Sequence, residues 1–545
     1  MKYSELAQLY EKLGATTKKL EKRDILAEFY KKASDLSIIV KLSQGIIGVD
    51  FGVAKQMMKD VIKKAYGASD SEIIHKFKET GDLGKVAEYF TSHRKQRTLQ
   101  HHELSVRKVY ENLMKLPSLT GQGSVERKVD LIAELLSNAS SSEARYIVRT
   151  VIGDLRVGVA EGIIRDAIAK AFNQESKDVE RAYDFLGDYG EVAERASKGK
   201  IKAEIEIGKP VRVMLAERSK GLKEALEKFE NPALELKYDG FRLSIHKEGK
   251  DVWLYSRRNE NVTKQFPELV EFARSNIKAK ECIIEGEVLA VDKHGRSLPF
   301  QRLSRRVQRK YHIEKMSIEI PIQMNFFDII YLNGKNMMHE KLSVRWHALK
   351  KIIKQVKEKF QLAEHIETKN LKQAEKFYAY SLKKGQEGLI IKNLDAFYQP
   401  GKRVGYWLKV KPILEPLDLV IVGGEWGEGK RTKWLGSLLL ACKGKGKFLE
   451  TAKMGSGLTE KQLEEMTRKL KSLIIEEHGN HVIIKPKIVI EVGYEEIQRS
   501  PKYPTGYALR FPRLLRLREQ EKTADDVNTL HDIEKLFNQQ KKVRS

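Results

Sequence analysis

The stretch ELKYDGFRLSIHKEG, residues 235–249, places a lysine between two carboxylates. Read with the two-residue period of a strand, Leu234 and Leu236 point to one face of that strand. Glu235, Lys237 and Asp239 then point to the other face. A lysine of this kind is most often an exposed residue of a surface strand. The other charged strands of the same region decide whether this lysine does chemistry.

Several strands of this region carry charged or aromatic residues on faces where apolar residues are expected. The sequences concerned are ECIIEGEVLAVD, NFFDIIYLNG, EGLIIKN, YWLKVKP and YSRRNENVT. Their unexpected side chains are Glu285, Glu287, Phe327, Glu387, Lys392, Trp407, Lys409, Lys411, Arg257 and Arg258. Such a mixture has to be paired internally, or it has to hold a charged ligand and a metal ion.

This set of side chains suits a nucleoside triphosphate. Carboxylates bind Mg²⁺, lysines and arginines bind phosphates, and an aromatic ring can stack on a base. The sequence has neither a G-x-x-x-x-G-K-[ST] loop nor a G-x-G-x-x-G that opens a helix, which excludes a P-loop and a dinucleotide site. Lys237 is then a candidate nucleophile, because neighbouring cations favour the neutral amine that attacks an α-phosphate.

The chain has three regions with different sequence patterns, and these regions must position the residues. Residues 1–205 contain one proline, Pro117, and show helical periodicity, which predicts an all-α domain. Residues 206–412 alternate short strand patterns with turns, which predicts an α+β domain. Residues 413–545 combine short strands with the helix TEKQLEEMTRKLKSLI, which predicts a β-barrel of the OB type. The glycine-rich GGEWGEGK (423–430) is predicted to be a loop.

The net charge of the chain favours a polyanionic partner. Lys and Arg number 101 against 75 Asp and Glu, a formal charge of +26. A solvated, highly charged surface, as in thermophile proteins, explains the charge density but explains the net charge less well. Cys282 and Cys442 build neither a disulfide framework nor a four-cysteine zinc site, so an intracellular protein is expected. No apolar run reaches the roughly 18 residues of a membrane span, so no membrane partner is expected.

Two segments of the helical region are candidates for phosphate contacts. Arg145, Arg149 and Arg156 form one helical stripe if the helix continues through them, although two glycines suggest that it breaks. The turn GQGS offers Gly121 and Gly123, whose backbone amides can approach a phosphate. Solvated helix faces and ordinary loops show the same patterns.

Six motifs in order resemble those of the covalent nucleotidyltransferases. They are KYDGFR (237–242), YSRR (255–258), EGEV (285–288), FFDIIY (326–331), EGLIIK (387–392) and WLKVK (407–411). Two longer stretches, SEARYIVRTVIGDLRVGV and YPTGYALRFPRLLRLRE, narrow the resemblance to ATP-dependent DNA ligases of the archaeal and eukaryotic replicative type. The resemblance covers nearly the whole chain. It implies a helical DNA-binding domain, an adenylation domain and an OB-fold domain that close around nicked duplex DNA.

The resemblance also implies roles for individual residues. Lys237 would be the adenylated nucleophile, and Phe327 would stack on the adenine beside Glu235. Glu287 and Glu387 would hold Mg²⁺, with Mn²⁺ as the alternative, or the ribose. Further ATP contacts would come from Arg242, Arg257, Lys392, Lys409 and Lys411. The enzyme would seal nicks in replication, repair and recombination, as a monomer in the cytoplasm associated with the nucleoid.

The terminal motif departs from the family pattern Arg-[acid]-Asp-Lys. This chain reads REQEK over residues 518–522, so the aspartate is missing or one residue is inserted. The resemblance therefore leaves open which of Arg510, Arg518 and Lys522 orients the leaving pyrophosphate.

The segment HRKQRTLQHHELS corresponds to the stretch through which replicative ligases dock on the sliding clamp. It offers Gln96 and Leu99 as clamp contacts, but Gln100 stands where a second apolar anchor is expected. We expect weak clamp binding through this segment, with a polar loop as the alternative interpretation.

Three other functions are compatible with parts of the pattern. An RNA ligase or a capping-type guanylyltransferase shares the core motifs, but the helical N-terminal region argues against both. An NAD-dependent ligase is disfavoured because the cysteines of its zinc module are missing. A non-catalytic DNA-binding scaffold would not need the motif lysine together with the metal-binding carboxylates.

Overall fold

The computed structural model describes residues 1–45, 51–94, 103–307, 313–412, 414–428, 431–455 and 457–544. The chain folds into two compact units. The first unit comprises Met1–Glu180, Asp188–Ile201 and Leu414–Phe537, and the second comprises Arg181–Gly187, Lys202–Ile413 and Asn538–Ser545. The division into domains at 205/206 and 412/413 stays a prediction.

The N-terminal region is helical, as its periodicity predicts. Its helices are α1 (Tyr3–Ala15), α2 (Lys19–Lys31), α3 (Leu36–Ser43), α4 (Lys55–Tyr66), α5 (Asp70–Thr80), α6 (Leu83–Ser92), α7 (Val106–Lys115), α8 (Ser124–Asn138), α9 (Ser141–Ile152), α10 (Glu161–Ala171), α11 (Ser176–Leu186) and α12 (Tyr189–Ser197). Local signals set their ends: Ser69 and Glu72 form a capping box at α5, and Gly81 ends that helix with a left-handed φ of 58°.

The second unit contains two sheets and the helices that cover them. Its strands are β1 (Glu217–Arg218), β2 (Pro232–Leu236), β3 (Phe241–Glu248), β4 (Asp251–Ser256), β5 (Glu281–Ala290), β6 (Ile322–Leu332), β7 (Lys335–Asn336), β8 (Phe360–Leu362), β9 (His365–Glu367), β10 (Leu389–Asn393) and β11 (Trp407–Val410). Its helices are α13 (Leu222–Glu227), α14 (Pro267–Asn276), α15 (Phe300–Val307), α16 (Ile313–Glu319), α17 (Leu342–Ile352) and α18 (Leu371–Lys383).

One sheet has the strand order β1-β11-β10-β2-β9, and the other has the order β4-β3-β5-β6-β7 with β8 paired to β6. Except for β1 with β11 and β6 with β8, the pairs are antiparallel, as expected for an α+β domain. One apolar core combines both sheets with α13 and α18, through residues such as Leu234, Ile391, Ile330 and Ala374. A second core packs the sheet of order β4-β3-β5-β6-β7 against α14 and α17.

The C-terminal region is β-rich, again as predicted. It contains β12 (Leu417–Trp426), β13 (Leu435–Lys443), β14 (Phe448–Met454), α19 (Glu460–Lys471), β15 (Ile474–His478), β16 (His481–Ile484), β17 (Val489–Gly493), β18 (Glu496–Arg499), β19 (Tyr507–Arg510), β20 (Arg513–Leu517) and α20 (Leu530–Arg544). Strand β12 is the centre of a seven-stranded sheet, because it pairs with β13 on one side and with β16 and β17 along the other. The multidomain class of α, α+β and β-rich regions is therefore confirmed.

Two local predictions are wrong in detail. The strand expected through Lys237 ends at Leu236, and all five residues of β2 are buried, so its polar face is covered as well. The predicted GGEWGEGK loop begins inside β12, which runs to Trp426, and its first two glycines pair in register with Leu439 and Leu438. The break that the two glycines suggest is present: α9 ends at Ile152 with Gly153 as its cap, so Arg156 does not continue the stripe of Arg145 and Arg149.

None of the helices within the described ranges combines the length and the apolar character that crossing a membrane requires.

The ion pair between Arg345 and Asp328 predicts a large stability effect. Both side chains are fully buried, and the guanidinium donates to both carboxylate oxygens at 2.7 and 2.9 Å. We expect Arg345→Met to lower the free energy of unfolding by about 3–5 kcal/mol, because it leaves a buried charge without its partner. Urea denaturation of the full chain measures this.

The matched control is Lys341→Met, because the Lys341–Asp395 pair is 54% and 38% exposed. Its loss should cost less than about 1 kcal/mol. Equal effects of the two substitutions would contradict the argument from burial.

Candidate active site

A cavity of about 930 Å³ opens in the second unit. Ten residues singled out from the sequence line it: Glu235, Lys237, Arg242, Arg257, Arg258, Glu287, Phe327, Lys392, Trp407 and Lys409. They come from both sheets and from the turn after β4. The fold thus brings together side chains that are up to 174 positions apart, from Glu235 to Lys409.

The backbone fixes Lys237 at the end of β2. The amide of Lys237 donates to the carbonyl of Gly388 at 2.9 Å, and the amide of Glu387 donates to the carbonyl of Lys237 at 2.9 Å. Gly388 has a φ of 134°, and a Cβ there would lie 2.2 Å from the carbonyl oxygen of Val410. Only glycine permits this close approach, which therefore holds Lys237 beside the residues that open β10.

The Lys237 ammonium forms an ion pair with Glu387, and Lys411 reaches the same carboxylate at 3.0 Å. Glu387 and Lys411 are both predicted from motifs. Glu387 contacts the candidate nucleophile directly, and Lys411 shares Glu387 as its partner. Burial by itself raises the pKa of Glu387, but Lys237 and Lys411 outweigh it and lower that pKa to about 2. Glu387 is therefore ionised at neutral pH and balances two cations.

Aromatic rings and a buried ion pair form the wall on the Phe327 side. The rings of Phe327 and Trp407 meet edge to face with centroids 6.0 Å apart. The Lys392 ammonium lies 4.4 Å from the Phe327 centroid and 4.6 Å from that of Trp407. It donates to Glu235 at 2.8 Å. A flat base could stack on this wall while Glu235 and Lys392 meet its polar edge.

The Glu235–Lys392 pair is nearly sealed from solvent, with side chains 4% and 1% exposed. Burial raises the pKa of Glu235 to about 7, and the attraction of Lys392 opposes this only in part. Burial likewise lowers the pKa of Lys392, against the influence of Glu235. Both shifts favour the uncharged forms of the two side chains. A ligand edge that forms hydrogen bonds would therefore meet a carboxyl and an amine that lose their charges easily.

Two of the predicted phosphate-binding residues, Arg242 and Arg257, line the cavity. Arg242 donates to the Met214 carbonyl at 2.7 Å and to Glu285 at 2.8 Å, and the Tyr398 hydroxyl donates to the same Glu285 oxygen. These bonds fix the Arg242 guanidinium over the Phe327 ring. Arg257 is exposed at the cavity, and its pKa is lowered by desolvation and by nearby cations, first among them Arg242. An anion would relieve this repulsion.

Glu287 fits the role of a metal ligand. Burial raises its pKa to about 7, and the negative charges of Glu387 and Asp239 add to this effect against the attraction of Lys237 and Arg242. A divalent cation would stabilise both carboxylates in their ionised form. Within the described ranges, three or more acidic, histidine or cysteine side chains nowhere gather into a metal cage. A cation here would therefore take further ligands from phosphate and water.

The remaining predicted residues belong to the first unit. Arg510 forms an ion pair with Glu496 at 3.4 Å. Lys522 donates to Asp418 at 2.7 Å, and Arg518 lies 3.8 Å from the same carboxylate. These contacts show how the terminal motif is held inside its own region, and its role toward pyrophosphate stays a prediction.

The arginines of the helical region are differently placed. Arg145 pairs with Glu11 and Glu88 and is 14% exposed. Arg149 pairs with Asp82 at 2.6 Å and is 10% exposed. Both guanidinium groups are thus engaged inside the fold, and their contact with DNA stays a prediction.

Gly121 and Gly123 adopt left-handed φ values of 82° and 73° just before α8, with open space beside their Cα atoms. This geometry leaves room for a ligand to approach, and the contact of these glycines with DNA stays a prediction. Gln96 and Leu99 lie outside the described residues.

Sequence reasoning did not assign roles to several residues of the cavity. Trp407 is among the unexpected strand residues but has no role assigned from the sequence, and its ring forms part of the aromatic wall. Ile390 and Arg403 also line the cavity. Ile390 could have been found from the sequence, since it lies two positions before Lys392 and therefore on the same face of β10. Arg403 lies in a loop, and the sequence carries no signal for it.

Family models match three successive parts of the chain. Residues 2–169 match the DNA ligase N terminus, residues 213–411 match the ATP dependent DNA ligase domain, and residues 431–521 match the ATP dependent DNA ligase C terminal region.

Full-length relatives show the same similarity. The DNA ligase of Thermococcus fumicolans is 42% identical, with all of both chains covered. That of Nanoarchaeum equitans is 43% identical over 99% of each chain, and that of Archaeoglobus fulgidus is 41% identical with both chains fully covered. A solved structure named "Pmar-Lig_PreS3" shares the fold with a TM-score of 0.57 at 19% identity, over 94% of this chain and 99% of that one.

The raised pKa of Glu287 predicts pH-dependent metal binding. Below about pH 7 the carboxyl gains a proton and becomes neutral, so a cation must compete with that proton. We expect the affinity for Mn²⁺ to fall by up to about tenfold per pH unit below pH 7. Electron paramagnetic resonance of free Mn²⁺ measures this without any turnover. Glu287→Gln should bind Mn²⁺ more weakly and with a flatter pH profile; identical profiles for the two proteins would argue against Glu287 as a ligand.

Proposed function

The chain belongs to the ATP-dependent DNA ligase family, and from this premise we propose that Lys237 carries the adenylate through which it seals nicks. The observation that carries this assignment is the position of Lys237 at the end of β2, paired with Glu387 and lining the cavity. The reaction joins a 3′-hydroxyl to a 5′-phosphate through a lysyl-AMP and then a DNA-adenylate.

In the first step the neutral Nζ of Lys237 attacks the α-phosphorus of ATP. The N–P bond forms, the bond from the α-phosphorus to the bridging oxygen breaks, and pyrophosphate leaves. The proton of the ammonium passes to solvent, which reaches this side chain because it is 21% exposed. Glu387, with a pKa near 2, is too weak a base to retain that proton at neutral pH and instead orients the amine.

The other cavity residues bind and orient the nucleotide. Phe327 and Trp407 offer ring faces to adenine, with Glu235 and Lys392 at its polar edge. Arg242, Arg257, Lys409 and Lys411 supply positive charge for the ribose-phosphate part. Charge-assisted contacts of this kind stabilise the negative charge that builds up on the α-phosphate.

Glu287 and Glu387 would hold the divalent cation, which we propose to be Mg²⁺, with Mn²⁺ as the alternative. When bound, it would neutralise phosphate charge and screen Lys237 from its carboxylate partner. The displacement of Lys237 and Lys411 from Glu387 would then be part of substrate loading.

DNA binding is proposed for the helical region and the C-terminal region together. The +26 charge supports many phosphate contacts. The turn with Gly121 and Gly123 has open space for a phosphate. Arg156 has ion pairs of its own but is the most exposed of the three predicted arginines, at 19%. Arg145 and Arg149 would have to leave internal carboxylates, or act by shaping the surface. Arg510, Arg518 and Lys522 are proposed to orient the pyrophosphate during adenylation.

The organisation and setting of the enzyme follow from the same premise. The proposed domains are 1–205 for DNA binding, 206–412 for adenylation and 413–545 for the OB fold. We propose that the enzyme acts as a monomer in replication, repair and recombination, associated with the nucleoid. Weak docking on the sliding clamp is proposed through Gln96 and Leu99.

Lys237→Ala should abolish the covalent adduct. Intact mass after incubation with ATP and a divalent cation should show one added AMP on the wild-type chain and none on the variant. Lys237→Arg should fail as well, because the guanidinium stays protonated. The matched control is Lys250→Ala in the exposed turn between β3 and β4, which should be adenylated normally. An AMP adduct of normal yield on Lys237→Ala would refute the assignment.

A further inference from the structure

Arg156 is held in a strained position in the first unit. Its backbone φ of 59° lies in the left-handed region, which a non-glycine residue adopts at a cost of about 1 kcal/mol or more. Its side chain donates to Asp154 at 2.7 Å and to the Gly81 carbonyl at 3.0 Å, and lies 3.4 Å from Asp82. These contacts hold one guanidinium edge and direct the other toward Glu428.

Glu428 lies between two cations. The Lys55 ammonium contacts both of its carboxylate oxygens, at 2.5 and 2.6 Å, and Nη2 of Arg156 lies 3.7 Å away. Lys55 is the first residue of α4, a twelve-residue helix, so the positive end of the helix dipole adds to the attraction. Glu428 itself follows β12, at the end of a strand of the C-terminal region.

The charges around this point balance only because Glu428 is there. A cavity of about 190 Å³ is lined by Lys55, Arg149, Arg156, Asp82, Asp154 and Glu428, with an apolar floor. Three cations face three carboxylates. Arg149 is matched by Asp82 at 2.6 Å, and Asp154 holds one edge of Arg156. Removal of Glu428 would leave one positive charge uncompensated, which is the charge that one phosphodiester would neutralise.

We propose that Lys55 and Arg156 form a binding site for a backbone phosphate of DNA, and that Glu428 occupies this site in the DNA-free chain. Nicked DNA then has to displace the Glu428 carboxylate before the helical region can grip it. The inference rests on the proposed DNA binding, and it adds Lys55 as a contact and Glu428 as an internal competitor.

A different role for the same ion pair makes the opposite prediction. If the Glu428 contact persisted in the DNA complex and tied the two regions together, its loss would weaken DNA binding. If it is a competitor, its loss strengthens binding, because the phosphate no longer has to break an existing ion pair. The sign of the effect therefore decides between the two roles.

The test measures the affinity of the full chain for a fluorescent nicked duplex by anisotropy, in EDTA and without ATP, so that no chemistry occurs. Glu428→Gln keeps the shape of the side chain and removes its charge. We expect the variant to bind about three- to tenfold more tightly than the wild type, the range expected for loss of a partly exposed ion-pair network. The gain should shrink as salt is raised.

Removal of any negative charge makes the chain more cationic, so the control is Glu464→Gln, an exposed glutamate on α19 of the same region. It should change the affinity much less. Normal self-adenylation of both variants verifies that they are folded. An affinity of Glu428→Gln that equals or falls below that of the wild type, or a gain no larger than that of the control, overturns the proposal.

A double-mutant cycle with Lys55→Gln tests the mechanism itself. In the wild type this change removes a phosphate contact but also loosens the competitor, so the two effects partly cancel. In the Glu428→Gln background only the loss remains, so Lys55→Gln should weaken binding more there. If Lys55→Gln weakens binding equally in the two backgrounds, the displacement mechanism is overturned.

A wild-type chain that does not bind nicked DNA at all would instead refute the proposed function, and with it this inference. Binding that Arg156→Ala weakens, combined with no effect of Glu428→Gln, would refute the inference alone.

Discussion

The ion pair between Lys392 and Glu235 is the constraint on which the nucleotide cavity depends. Two charges that are almost wholly buried cost several kcal/mol each to remove from water, and only close pairing offsets that cost. The pair joins β2 to β10, in whose antiparallel register Glu235 lies opposite Ile390. A slip of one residue would turn either charge to the other face of the sheet, among Leu234 and Ile391. The pair and the apolar face together therefore fix a single register, and that register places Lys237 at the strand end.

A buried ion pair also supports the cavity wall on the second sheet. Phe327 contributes its ring to the cavity, and its neighbour Asp328 is fixed by Arg345 in a fully buried bidentate pair. The Trp346 indole donates to the Phe327 carbonyl at 2.6 Å. The ring that would stack on the base is thus supported by Asp328, Arg345 and Trp346, which lie outside the lining of the 930 Å³ cavity. Rigid support of this kind keeps a binding geometry in place before the ligand arrives, which reduces the entropy lost on binding.

Much of this arrangement could be predicted from sequence, because its signals are local. The helical period of residues 1–205 and the alternation in β6, which sends Phe327 and Phe326 to opposite faces, need only neighbouring residues. The ordered motifs then select the family. What could not be predicted depends on pairing between distant segments. Arg149 is neutralised by Asp82, 67 positions away, and Lys237, just beyond β2, is held by the carbonyl of Gly388. A basic stripe in a sequence says nothing about which carboxylates will cover it.

Carboxylates stand where phosphates are proposed to bind. Glu387 balances Lys237 and Lys411 beside the nucleotide cavity, and Glu428 balances Lys55 and Arg156 on the helical region. A chain with a charge of +26 has to hold such clusters of cations together before its polyanionic substrates arrive. Internal carboxylates meet that need, and an arriving phosphate can take over their ion pairs with the same cations. Under the proposed displacement, each of these contacts contributes to substrate affinity the difference between two ion-pair energies. Such a difference favours selective binding over the tightest possible binding, since a ligand with fewer or misplaced phosphates cannot displace the internal partner.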